Sequence, residues 1–193
     1  MTVTTAVRWW PLVGLAALVA LGLVVGKGST PLDDWFTRTG EEHPFLGRLL
    51  FFTDGRVVFV AWAVVLAAVV FRRRWRLAAV IVVAPLAAVA AARLCKRLFG
   101  RLSDGVLAYP SGHTTLAVVV VGLAVLAAGM AVWSVAAAAV VAVLGILGQA
   151  FTYHYFTDTV GAVFLGTSLV CLAAWAIGFD RCQPNCDLSH NSG

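Results

Sequence analysis

Two histidines and an aspartate have the residue types and spacing of a group that could carry out nucleophilic catalysis. His154 and Asp158 stand four residues apart, a spacing that places both side chains on one face of a helical turn. A carboxylate placed in this way can hold the imidazole in one tautomer, which leaves Nε2 free to act as a nucleophile. His113 can then serve as the general acid that protonates a leaving alcohol.

The tetrapeptide Pro-Ser-Gly-His at 110–113 comes directly before a long apolar run and predicts an anion-binding helix start. Ser111 is a favoured N-cap residue, and Gly112 allows a ligand to approach the backbone closely. The free amides at a helix N-terminus bind anions. Lys96 and Arg101 add positive charge suited to a phosphoryl group. We therefore predict that these four residues bind phosphate.

The elements that position these residues are predicted to be membrane helices. Of the 193 residues, 61% are hydrophobic and only 12% are charged, which is far outside the composition of a soluble domain. About 20 apolar residues cross a bilayer, and the flanks can lengthen shorter stretches. We predict an all-α, polytopic bundle of six transmembrane helices in a single membrane domain, residues 1–193, with spans near 9–26, 57–71, 77–92, 114–131, 133–150 and 159–178.

Two of these spans admit a second interpretation. The first could be a signal peptide, but its length exceeds that of a typical signal core and favours a retained helix. The second and third, at roughly 15 residues each, are short for a bilayer. They could form a re-entrant pair, but an αα-hairpin is favoured because backbone groups in lipid must be satisfied internally.

Basic residues set the expected orientation. The cluster Arg72-Arg73-Arg74-Trp75-Arg76 is expected in the cytoplasm, together with both termini. The segments 27–56, 93–113 and 151–158 then lie on the opposite side. This arrangement puts six basic residues inside and eight outside, so the outer ones need another role. The charge-free run from Thr114 to Ala150 is long enough to cross and return, which brings His113 and His154 to one face near Lys96.

The motifs resemble those of the type 2 phosphatidic acid phosphatase superfamily of membrane lipid phosphatases. That family carries Lys-x6-Arg-Pro, Pro-Ser-Gly-His and Ser-Arg-x5-His-x3-Asp on six transmembrane helices. Here the second motif is complete at 110–113, and 154–158 supplies the last half of the third. The resemblance covers most of the chain beyond the first helix.

The resemblance implies a mechanism and a location. His154 would attack phosphorus and form a phosphohistidine, His113 would protonate the leaving group, and Asp158 would orient His154. Lys96, Ser111 and Gly112 would bind phosphate, and no metal or other cofactor would be needed. We expect a multi-pass protein of the plasma (inner) membrane with its active-site segments, 93–113 and 151–158, on the extracytoplasmic face.

Two arginines of the family pattern are absent. The arginine of the first motif would fall on Ser103 and that of the third on Gly148. Arg101 could substitute in part, whereas Gln149 is neutral and is turned about 100° on a helix from the required position. Losing one charge-assisted contact to a transition state costs on the order of several kcal/mol, roughly a hundredfold or more in rate.

Two functions of different classes follow. The first is hydrolysis of a phosphomonoester or pyrophosphate of a lipid, such as a polyprenyl phosphate derivative, phosphatidic acid or phosphatidylglycerol phosphate. The second is a catalytically weakened homologue that binds anionic lipid or supports an envelope complex. Retention of both histidines and Asp158 favours the enzyme, and a transporter is a third, minor reading. Nucleic acid binding is not expected, because the net charge of +5 is spread over membrane-flanking loops.

The remaining segments have structural interpretations. Within 27–56, Ser29 or Thr30 before Pro31, followed by Asp33 and Asp34, predicts a short interfacial helix. Arg93 and Arg97 are expected to contact lipid headgroups. Residues 179–193 are expected to form a flexible tail, although its Cys182, Cys186 and His190 could hold zinc with one more ligand.

Overall fold

The computed structural model of the chain describes residues 3–103 and 105–178. The all-α prediction is confirmed there, with a two-residue antiparallel strand pair added. The elements in chain order are α1 (Val3–Val25), α2 (Pro31–Glu42), a 3₁₀ segment (Pro44–Thr53), α3 (Gly55–Phe71), α4 (Trp75–Phe99), β1 (Leu102–Ser103), β2 (Val106–Leu107), α5 (Gly112–Ala127), α6 (Val132–Ala150) and α7 (Phe156–Ala176).

Every predicted apolar stretch forms a helix, and five helical segments are long and apolar enough to cross a membrane. These are α1, the 3₁₀ segment together with α3, α4, α6 and α7. The sixth predicted span, α5, has 16 residues and falls short of that length. Helix α4 runs unbroken through Pro85 and follows α3 after a tight turn at 72–74, so the predicted αα-hairpin is observed rather than a re-entrant pair.

The sequence signals for helix starts are confirmed at two places. Thr30 caps α2: its hydroxyl accepts from the amide of Asp33 at 3.2 Å, and the Asp33 carboxylate accepts from the amide of Thr30 at 3.0 Å. This reciprocal pair is a capping box, and Pro31 supplies a preset first helical residue. Ser111 caps α5 in the predicted way. The short helix predicted within 27–56 therefore exists and begins at Pro31.

Helix α7 is the most buried of the long helices and lies between α1 and α5. Glycines allow this close packing. A Cβ on Gly166 would lie 2.7 Å from the side chain of Val118 on α5, and one on Gly14 of α1 would lie 2.3 Å from that of Ser168. Small residues at helix contacts are how membrane bundles bring backbones close together.

The polar segments meet at one end of this bundle. The carbonyl of Phe151, after α6, packs against Gly40 of α2. The side-chain amide of Gln149, near the end of α6, donates to the hydroxyl of Thr53 in the 3₁₀ segment at 2.8 Å. At the opposite end, Arg74 donates to the carbonyl of Ala127 at 2.9 Å. The predicted convergence of 27–56, 93–113 and 151–158 is thus observed. The predicted tail at 179–193, with its zinc alternative, lies outside the described residues.

Candidate active site

A cavity of about 950 Å³ lies where α4 and α6 end and α5 begins. Four of the predicted site residues line it: Lys96, Gly112, His113 and His154. They come from three segments that are distant in sequence. The cavity also follows α4 from Lys96 back to Val89, which at 1.5 Å per residue is roughly 10 Å along the helix axis. It therefore joins a polar end to an apolar wall made of residues such as Val89, Ala92, Leu107 and Leu116.

The start of α5 supplies backbone donors to this cavity. Ser111 is fully buried and does not line the cavity; its hydroxyl accepts from the hydroxyl of Thr114 at 3.1 Å and from the amide of Thr114 at 3.4 Å. Within the described residues, the amides of Gly112 and His113 have no acceptor. A Cβ at Gly112 would meet open space. These two amides therefore lie unpaired at the helix start where the sequence predicts anion binding, and Ser111 holds that helix start in place.

His154 and Asp158 face each other but do not form a hydrogen bond. Nδ1 of His154 lies 3.9 Å from Oδ2 of Asp158, and neither buried atom has a hydrogen-bond partner in the described chain. His154 lies in the turn before Tyr155, the N-cap residue of α7, and not on a helical turn with Asp158 as predicted. The separation exceeds a hydrogen bond by about 1 Å.

Two cations of α4 line the cavity one turn apart. The ammonium group of Lys96 donates to the carbonyl of Leu107 at 2.7 Å, which fixes its position and leaves two of its three donors available. Arg93 precedes it by three residues and also lines the cavity. The sequence interpretation of Arg93 as a lipid-headgroup contact missed this placement. Its i, i+3 relation to Lys96 was the signal that could have revealed it.

The surroundings of His113 favour its neutral form. His113 lies ahead of the apolar run of α5 that begins at Thr114. Partial desolvation, and then the neighbouring charges of His154 and Lys96, lower its pKa, while Asp54 opposes them. The negative charge of a phosphate bound beside His113 would raise the pKa of His113, opposite to the effect of the neighbouring cations. Ligand binding and protonation of His113 are therefore expected to be coupled.

Arg101 has a role different from the predicted one. It is fully buried, and all five of its N–H groups have acceptors. The acceptors are the carbonyl of Gly28 (3.1 Å and 2.8 Å), the hydroxyl of Thr157 (2.7 Å), Oδ1 of Asp158 (2.7 Å) and Oδ2 of Asp33 (2.9 Å). No donor remains for a ligand, so the expected substitution of Arg101 for a missing phosphate-binding arginine is not observed.

The absence of an arginine at position 148 has a steric explanation. A Cβ on Gly148 would lie 2.5 Å from the backbone of Leu49 in the 3₁₀ segment, so this segment occupies the space that a larger side chain would need. The next residue, Gln149, is buried and lines the cavity with its Oε1 unpartnered. Ser103, where the resemblance would place the other arginine, also lines the cavity.

Asp33 was not among the predicted site residues. It is fully buried and bonds Thr30, Arg101 and the start of α7 at Thr157. Its position in the first turn of α2 predicted only a helix start. Partners 68 and 124 residues away along the chain leave no local signal in the sequence.

A second cavity of about 510 Å³, on the α2 side, shares Ser103, Tyr153 and His154 with the first. His154 is therefore reachable from two directions.

Among the described residues, no group of three His, Cys, Asp or Glu side chains is placed to hold a metal ion. Comparisons of the chain with models of known protein families, with curated proteins and with solved structures found no match.

Proposed function

We propose that this protein is a membrane phosphatase that hydrolyses the phosphomonoester or pyrophosphate of a lipid through a phosphohistidine at His154. The observation that carries the proposal is the single cavity lined by His113, His154 and Lys96, with the carboxylate of Asp158 behind His154. Two histidines, a cation and free helix amides around one space match the needs of phosphoryl transfer.

The reaction takes place in two steps. Nε2 of His154 attacks phosphorus, a P–N bond forms, and the P–O bond to the lipid breaks. His113 gives its proton to the leaving oxygen and, now neutral, takes a proton from the water that attacks the phosphohistidine. The P–N bond then breaks, phosphate leaves, and both histidines return to their starting states.

The charges around the cavity support this scheme. Lys96 and Arg93, with the amides of Gly112 and His113, stand where negative charge would collect on the phosphoryl oxygens. Asp158 supports the positive charge that develops on His154 during attack. Because desolvation and the neighbouring charges lower the pKa of His113, the negative charge of a bound phosphate would help to keep the general acid protonated.

The shape of the cavity favours a lipid over a soluble phosphate ester. Its wall beyond Arg93 is apolar, with Ala92 and Val89 on α4 and Leu116 on α5, as an acyl or prenyl chain requires. Polyprenyl phosphate derivatives, phosphatidic acid and phosphatidylglycerol phosphate all combine such a chain with a terminal phosphate.

In this proposal the protein is a multi-pass protein of the plasma (inner) membrane with α5 as its sixth crossing. At 1.5 Å per residue, α5 is about 24 Å long, against about 30 Å of hydrocarbon, a mismatch that local thinning of the bilayer accommodates. The cluster at 72–76 lies at the opposite end of the bundle from the cavity. Basic loops favour the cytoplasm, so the cavity faces the extracytoplasmic side.

The second candidate is a weakened homologue that binds anionic lipid. The closed space at Gly148 and the full occupation of Arg101 favour it, since neither arginine of the family pattern has a replacement at the phosphate. Arg93 counts against this second candidate, because it supplies a cation at the cavity besides the two missing arginines.

Phosphate release separates the two candidates. Purified protein in lipid vesicles is given a panel of lipid phosphates with chelator present. The wild type is compared with His154→Ala and with the matched control His43→Ala, whose imidazole lies directly after α2 and does not line the cavity. Release by the wild type and by His43→Ala, with none from His154→Ala, supports the phosphatase. Equal background release from all three, with retained binding of the same lipids, supports the binding protein.

A further inference from the structure

The buried arginine at the base of the site is shared between two carboxylates. Arg101 bonds Oδ1 of Asp158 at 2.7 Å through one terminal nitrogen and Oδ2 of Asp33 at 2.9 Å through the other. All three side chains have 0% exposure. Asp33 belongs to α2 and does not line the cavity, whereas Asp158 stands directly behind His154.

The charges of this group do not cancel. One guanidinium and two carboxylates leave one negative charge, and buried charges interact strongly because they are poorly screened. With Arg101 and Asp158 alone, the pair would be neutral, and Asp158 would offer little net charge to an imidazolium. Asp33 supplies the second carboxylate, so the excess negative charge remains available beside His154.

The geometry places this charge on a specific atom. Because Arg101 holds Oδ1 of Asp158, the plane of the carboxylate is fixed and Oδ2 is directed at Nδ1 of His154. Oδ2 is buried and has no other partner in the described chain. The guanidinium in turn cannot rotate, because Asp33 and the carbonyl of Gly28 hold its far side and the ring of Tyr155 lies 4.6 Å from its carbon.

We propose that Asp33 is a positioning residue for His154, acting through Arg101 on the orientation and the net charge of Asp158. Asp33 touches no part of the cavity, and it links the outer helix α2 to the nucleophile. The lowered pKa of Asp33 agrees with an ionised carboxylate: burial raises it, but hydrogen bonds from Thr157, Thr30 and Arg101 outweigh burial. The kinetic part of this inference rests on the proposed function.

The test compares Asp33→Asn with two controls. Glu42→Gln removes the same charge from the exposed end of α2. Phe36→Leu weakens the docking of α2 on α7, because the ring of Phe36 stacks on that of Phe156, but it leaves every charge and every hydrogen bond of Asp33 in place. Each protein carries ¹⁵N-labelled histidine, and the His154→Gln spectrum assigns the His154 signals.

In the wild type we expect His154 to be the tautomer protonated at Nδ1. Asp33→Asn should shift it towards a mixture of tautomers, and both controls should keep the wild-type spectrum. In kinetics, Asp33→Asn should lower kcat by roughly 10-fold to 100-fold with little change in KM, the scale seen when a group that orients a metal-binding histidine is removed.

The inference is overturned if Asp33→Asn keeps the wild-type tautomer, or if Phe36→Leu changes tautomer and kcat as much as Asp33→Asn does, since α2 docking alone would then explain the effect. The spectrum needs no substrate. A wild type without activity but with the expected tautomer change therefore removes the proposed phosphatase function and leaves the positioning role supported.

Discussion

Replacing Arg101 by Met is the sharpest structural prediction. Met is also a long, unbranched side chain, but it lacks the five N–H donors of Arg101. Asp33 and Asp158 are both fully buried at this site. The two carboxylates would then share a buried space without a cation. Breaking a buried ion pair by removing one partner typically costs about 3–5 kcal/mol, because the remaining charge is left uncompensated.

The expected change is large enough to measure by thermal unfolding in detergent. For chains of this length, 1 kcal/mol corresponds to about 2–4 °C in Tm, so Arg101→Met should lower Tm by roughly 6–20 °C. Arg97→Met is the matched control, because Arg97 is exposed on α4 and makes no hydrogen bond or ion pair among the described residues. Its Tm should stay within about 2 °C of the wild type.

A double variant checks the cause. In Asp33→Asn with Arg101→Met, one of the uncompensated charges is also gone, so the loss should be smaller than the sum of the two single losses. Equal Tm values for Arg101→Met and Arg97→Met, or strict additivity in the double variant, would show that the buried charge group does not stabilise the fold as described.

Three further results are expected. Gly148→Ala should lower the free energy of unfolding by about 1–3 kcal/mol, because its Cβ would lie 2.5 Å from the backbone of the 3₁₀ segment. The control Gly55→Ala should leave the free energy of unfolding unchanged, because a Cβ there meets open space, and thermal unfolding measures both variants. Ser103→Arg should raise kcat/KM for a lipid phosphate, roughly tenfold or more, by placing a guanidinium in the cavity, and Leu102→Arg, which does not line the cavity, should leave it unchanged. Because the pKa of Asp33 is lowered in the folded state, its contribution to stability is complete above the unfolded pKa of about 3.9 and is lost as pH falls through the lower folded value. The Tm difference between wild type and Asp33→Asn should thus be constant near neutral pH and shrink below about pH 4.

The helices could be predicted because their cause is local. Long apolar runs require internally bonded backbone in lipid, and every one of them is helical in the structure. The ends were less accurate: the third span was predicted at 77–92, and α4 extends over Trp75–Phe99. A helix that leaves the hydrocarbon continues with polar residues, and α4 ends only where Gly100 takes a positive φ of 62°.

The site could be predicted in part. The order of the helices sufficed to bring Lys96, His113 and His154 to one face, because antiparallel neighbours return the chain to the same end. The residue type shows that Arg101 is positively charged, but it does not show which group Arg101 pairs with. We therefore predicted that Arg101 binds the ligand, whereas in the structure it pairs with two carboxylates that are distant in sequence. The 3₁₀ segment that fills the space beside Gly148 also has no periodic signal, and its packing depends on α6.

The most direct test of the central claim is to trap the covalent intermediate. Wild-type protein in vesicles is mixed with a lipid phosphate labelled in its terminal phosphate, quenched at alkaline pH within one turnover, digested and mapped. The account predicts label on His154 alone in the wild type and no label in His154→Ala. Phosphate release by wild type with label on another residue, or undiminished release by His154→Ala, would contradict it.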